Sequence, residues 1–78
     1  MTIYCAVINR FECNSQEKFF VLPQKAIEYI NCRYQEDCVR FDGWLDNTKT
    51  VKGIGGDAGI YDRYSNAYYG VKEIEVED

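Results

Sequence analysis

The chain's one proline, Pro23, separates two kinds of hydrophobic pattern. Its missing N–H costs nothing in the first turn of a helix, where that donor has no intrahelical acceptor, and its ring presets φ for the turn. The residues that follow have helical spacing: Ala26, Ile27, Ile30 and Tyr34 fall on one stripe, while Gln24, Lys25, Glu28, Asn31 and Gln35 populate the opposite side. A helix from Pro23 to about Tyr34 is predicted, and its apolar stripe needs a sheet to lie on.

The flanking segments supply that sheet. Thr2–Asn9 is apolar at both parities, with Ile3, Cys5 and Val7 on one face and Tyr4, Ala6 and Ile8 on the other, the pattern of a strand covered on both sides. Arg10–Gln16 holds the polar break Asn14-Ser15 and reads as a hairpin loop, so Lys18–Leu22 is predicted to return antiparallel to the first strand. Beyond the helix, Cys38–Leu45 is predicted as a third strand, which the tight-turn pair Asp42-Gly43 is able to split. Asp46–Lys49 reads as a turn, Thr50–Lys52 as strand-like, Gly53–Gly59 as a glycine-rich loop and Tyr61–Ala67 as the place for a further turn. The last strand runs from Tyr68 or Tyr69 to Val76, with Ile74 and Val76 toward the core and Val71, Glu73, Glu75 and Glu77 on the other face. The expectation is a single α+β domain over residues 1–78: one amphipathic helix packed on an antiparallel-rich sheet of four to five strands, in the order β-β-α-β-β with a fifth strand optional.

Size and composition narrow the function. A domain of 78 residues buries only about 60% of the surface its unfolded chain exposes, which leaves little material for an enclosed substrate cavity and puts function on the outer surface. The net charge of −4, from 13 acidic against 9 basic residues, opposes direct nucleic-acid binding, which depends on neutralising phosphates with Lys and Arg. No apolar run approaches a membrane span, and Met1–Arg10 lacks the basic start and apolar core of a secretory signal, so a cytoplasmic location is expected. Cys5, Cys13, Cys32 and Cys38 contain no C-x-x-C pair and the chain has no histidine, so neither a zinc site nor a disulfide framework is expected. Reduced thiols are the expectation, with Cys5 in the core and Cys13 exposed.

Catalytic and cofactor motifs are weak. Gly53-Ile54-Gly55-Gly56-Asp57-Ala58-Gly59 lacks the Gly-Lys-Ser/Thr ending of a P-loop, and no helical pattern follows to make a dinucleotide loop. The segment reads as a connector that uses glycine for positive φ. Asp42, Asp46, Asp57 and Asp62 have no calcium-loop register and suit turns. Without histidine or a nucleophile–base pair, no catalytic residue, metal or cofactor is expected.

Two surface features remain. Tyr61, Tyr64, Tyr68 and Tyr69 cluster beside loops and charged residues, and with Arg63 they form a candidate partner-binding patch that Trp44 can join. Tyr4, Phe19, Phe20, Phe41 and Trp44 otherwise suit the core. Glu73, Glu75 and Glu77 recur at alternate strand positions, about 6.8 Å apart, a spacing comparable to that of neighbouring phosphates along a nucleic-acid strand. Such a row is a candidate phosphate mimic; its plainer role is to keep a strand face soluble and discourage edge aggregation.

The run Phe19-Phe20-Val21-Leu22-Pro23-Gln24-Lys25-Ala26-Ile27-Glu28-Tyr29-Ile30, with the tail Tyr68-Tyr69-Gly70-Val71-Lys72-Glu73-Ile74-Glu75-Val76-Glu77, resembles small accessory proteins of bacteriophages and mobile elements. The resemblance covers roughly half the chain and carries over no site residue. It implies a viral, host-directed protein of the anti-defence type, an anti-CRISPR or anti-restriction inhibitor that binds a host protein or nucleoprotein complex. The partner-binding residues of this reading are Tyr61, Arg63, Tyr64, Tyr68, Tyr69, Glu73, Glu75 and Glu77. A structural or regulatory homo-oligomer pairing through an exposed strand edge is the alternative expectation, and a small-ligand module with Gly53–Gly59 as its lid is a third.

Overall fold

The structure, a computed structural model, describes residues 1–10, 14–43, 45–62 and 66–77, the side chains of Arg10 and Asn14 aside. Two long strands, β1 (Thr2–Arg10) and β2 (Asn14–Phe20), precede a single α-helix, α1 (Pro23–Arg40); a short β3 (Ile60–Asp62) and a long β4 (Ala67–Glu75) close the chain. The strands form one antiparallel sheet in the order β2-β1-β4-β3, with α1 packed on one face. The fold is α+β, as the patterning predicts, and the sheet has four strands.

Pro23 opens α1 as expected, and the first-turn carbonyl of Leu22 accepts the Ala26 N–H at 3.3 Å. The helix continues past Tyr34 to Arg40 because the buried stripe continues: Ala26, Ile30 and Tyr34 are followed at helical spacing by Asp37, which is buried too. Phe41 ends it, donating its N–H to the Asp37 carbonyl at 2.8 Å, and Gly43 with φ of 86° turns the chain away. Cys38–Leu45 is therefore not a strand. Its β-like composition misleads: Val39, the one β-branched residue of the last turn, is 82% exposed.

Thr50–Lys52 is not a strand either. Val51 is instead pinned to the helix by a side chain, with Asn31 Nδ2 donating to the Val51 carbonyl at 2.9 Å and Asn31 Oδ1 accepting the Val51 N–H at 2.7 Å. This satisfies both backbone groups of a buried residue without a partner strand. The sheet takes its remaining strand from Ile60–Asp62, inside the region read as loop and turn. The glycine-rich segment is an ordered edge cover: Gly55, with φ of 110°, donates its N–H to the Val71 carbonyl at 2.7 Å, and Gly56–Ala58 makes a single 3₁₀ turn.

Register assigns every side chain to a face. Ala6 pairs with Val71, Ile8 with Tyr69 and Tyr4 with Phe20, which places these residues under α1. The core comprises Ala6, Ile8, Ala26, Ile30, Tyr34, Val51, Ile60, Ala67, Tyr69 and Val71, with Tyr4, Phe20, Ile27 and Tyr29 packed against it. The tail thus has the opposite parity to that predicted: Val71 is core, and Ile74 is on the other face opposite Ile3. That other face bears Ile3, Cys5, Val7, Glu17, Phe19, Tyr61, Tyr68, Lys72 and Ile74, opposite the face on which α1 packs. On this side of β1 Cys5 is nonetheless buried and Ile3 and Val7 are half-buried.

Candidate interaction surfaces

Tyr69, predicted to contact a partner, is fully buried. Its ring meets Tyr34 edge-on, with centroids 4.8 Å apart at 79°, and its O–H donates to Asp37 Oδ2 at 2.6 Å. Tyr34 in turn donates its O–H to the Asp46 carbonyl at 2.8 Å, tying the segment after the helix to the core. Burial pushes the Tyr34 phenol far above its ordinary value, with the neighbouring Cys38 adding to the effect. The arrangement is structural: it lets α1, β4 and the Asp46 turn share one satisfied polar seam.

Tyr68 and Tyr61 point the other way, to the open face. Tyr68 is half-buried because its ring lies over Gly70 and against Gly59; a Cβ on Gly59 would come within 2.6 Å of the Tyr68 hydroxyl oxygen. Burial, and secondarily the negative charge of Asp57, pushes its phenol up. Tyr61, cross-strand from Tyr68, is exposed, and its O–H donates to Asn66 Oδ1 at 3.2 Å. Arg63 and Tyr64 lie outside the described residues, as do Trp44 and Cys13.

Glu73 and Glu75 extend from β4 on the helix-side face, so the tyrosines and the acidic row do not form one surface. Glu73, Glu75 and Glu77 are all exposed, and among the described residues no lysine or arginine pairs with any of them. Pairing with β1 fixes the backbone of the first two, Glu73 opposite Tyr4 and Glu75 opposite Thr2. Thr2 Oγ1 donates to Glu75 Oε1 at 2.6 Å, which holds that carboxylate in place.

The open face carries the features that sequence reasoning missed. Phe19 is 56% exposed and Val21, just past the end of β2, is exposed as well, while Ile3, Val7 and Ile74 are half-buried. Cys5 is completely buried, but on this face rather than in the core under α1, beneath its cross-strand neighbours Phe19 and Lys72. Its thiol donates toward Glu17 Oε2 at 3.4 Å, and Glu17 Oε2 lies 3.7 Å from Lys72 Nζ. Burial first, and the Glu17 carboxylate second, push the Cys5 thiol up, so it stays protonated at neutral pH. The signal for this face was present in Phe19-Phe20, where consecutive apolar residues in a strand must supply both sides of a sheet.

The opposite flank, between α1 and β2, is cationic and aromatic. Arg33 donates to the Tyr29 hydroxyl at 2.9 Å and to Gln16 Oε1 at 3.1 Å, and Lys18 Nζ sits 4.9 Å from the Tyr29 ring centroid. These contacts seal the edge of the core. Cys32 and Cys38 are free thiols, and among the described residues no three Cys, Asp or Glu gather as a metal site. No described helix is long and apolar enough to cross a membrane. Comparison with protein-family models, with curated proteins and with solved structures found no match to this chain.

Proposed function

We propose that this chain is a non-catalytic inhibitor that acts in a host cytoplasm by stoichiometric contact, engaging a protein or nucleoprotein defence complex and covering a nucleic-acid or partner site. The observation that carries this reading is the exposed carboxylate row Glu73, Glu75 and Glu77, free of lysine or arginine partners among the described residues. The backbone of its first two members is held by pairing with β1, Glu73 opposite Tyr4 and Glu75 opposite Thr2, so little ordering entropy opposes their binding. A groove that accepts phosphates presents Lys and Arg, and carboxylates at strand spacing complement such a groove. Tyr69 is removed from this contact by burial, and Tyr61 and Tyr68 by the face they occupy.

The test is capture of partners from a bacterial lysate by the tagged protein, with and without nuclease, followed by binding measurements on the partner recovered. Glu73→Lys with Glu75→Lys should weaken that complex at least tenfold and leave the far-UV spectrum unchanged, because both positions are exposed. A nuclease-resistant partner bound equally well by the double variant would remove the acidic row from the function.

A further inference from the structure

We infer that the open face of the sheet is the interface of a two-fold symmetric dimer, with a second copy of this chain as its occupant. Three observations select that occupant. First, the face carries exposed apolar side chains, Phe19 with Val21 just beyond it on one side of β1 and Val76 on the other, with Ile3 and Ile74 half-buried between them. Second, within a chain of net charge −4, the described charged side chains that β1, β2 and β4 place on this face, Glu17 and Lys72, cancel and pair with each other across β1. Two copies repel through most of their surface but not through this face. Third, the pair is self-complementary. A two-fold axis lying along β1, between two stacked sheets, carries β2 of one copy over β4 of the other. By register, Phe19 then lies level with the partner's Lys72, and the Glu17–Lys72 pair, which bridges β1 at the axis, meets the partner's pair with its charges in the opposite order.

The area is adequate for a reversible dimer. The two-fold leaves β3 outside the contact, so from strand lengths of 9, 7 and 9 residues the contact projects to about 400 Å² at about 3.4 Å per residue and about 4.8 Å between strands. Side-chain relief brings it toward roughly 500 Å² a side, about 1,000 Å² in total, the size of a weak, reversible interface. Glu73 and Glu75 stay outside the contact, so each dimer presents two acidic rows, and the dimer stands or falls separately from the inhibitor reading.

Sedimentation equilibrium over about 1 μM to 1 mM spans the affinity such an area supports. The mass should rise with concentration from the chain's 9.1 kDa to twice that value. Phe19→Glu, at a position already 56% exposed, should keep the fold and hold the mass at that of one chain. The decisive variants are Glu17→Lys and Lys72→Glu. Each alone puts like charges opposite each other and should be monomeric, whereas an equimolar mixture should recover the dimer, since each supplies the charge the other lacks. The mixture cannot repair the pair within either chain, so recovery reports contact between copies. A wild-type mass that stays at one chain throughout overturns the proposal. So does a dimer that survives Phe19→Glu and both charge reversals, which would place self-association on another surface, such as a strand edge.

Discussion

The two faces of the sheet carry similar side chains in different circumstances. Under α1, Ala6, Ile8, Tyr69 and Val71 are excluded from water and touch Ala26, Ile30 and Tyr34. On the open face, Ile3, Val7, Phe19 and Ile74 have comparable apolar area but remain half-buried or exposed, away from α1. Hydrophobic stabilisation follows the area removed from water, not the identity of the residue. The helix side therefore holds the monomer together, and the open side keeps its apolar area available for association.

The sharpest way to break this contrast is at Ile30, which is fully buried at the centre of the helix stripe. Ile30→Ala should destabilise the chain by about 2–5 kcal/mol through lost transfer energy and a residual cavity. For a domain of this size that is a large part of the total, and urea denaturation followed by far-UV circular dichroism measures it. A loss below about 1 kcal/mol would mean that the helix face is not the principal core.

Titration gives a second, smaller contrast on the helix side. The Tyr34 phenol is held above its unfolded value of 10.0. A raised pKa means that the native state keeps a proton the unfolded chain releases, so its contribution is fully present below about pH 10 and is lost as pH rises beyond that value. While only the unfolded state is deprotonated, stability should fall by up to about 1.4 kcal/mol per pH unit. Tyr34→Phe should lower stability at neutral pH, by loss of the hydrogen bond to the Asp46 carbonyl, and flatten the decline above pH 10. Equal alkaline slopes in the two proteins would show that Tyr34 does not carry the effect.

How much of this was legible in the sequence depends on whether a residue's neighbours are local. The start of α1 was readable because Pro23 and the stripe Ala26, Ile30 and Tyr34 act within a few turns. Its end was not, because the helix continues on Asp37, a polar residue whose burial depends on the Tyr69 hydroxyl 32 positions away. The parity of the tail was ambiguous for a related reason. Tyr69 and Val71 make one apolar set and Ile74 and Val76 the other, and only the position of the helix over Ala6 and Ile8 decides which is core. Val51 read as strand-like, but Asn31 supplies its hydrogen bonds from another element. Of the proposed contact residues, the exposure of Glu73, Glu75 and Glu77 followed from charge. The fate of the tyrosines did not, since a tyrosine suits a wet surface and a satisfied core equally well.

The smallest expected effect is the most informative about the open face. In dilute solution, where the chain is a monomer, Phe19→Ser should change stability by no more than about 0.5 kcal/mol, because the ring is already 56% exposed. Ile30→Ala removes less apolar surface than Phe19→Ser and yet should cost several times more. The difference between them should shrink as protein concentration rises. Dimerisation stabilises the native wild type by mass action, so its melting temperature should climb with concentration while that of Phe19→Ser stays level. At high concentration the serine variant thus loses both its own small term and the association term. Parallel melting temperatures for the two proteins across the concentration range would assign Phe19 to ordinary exposed surface, and would leave the helix side as the only face whose apolar residues stabilise the chain.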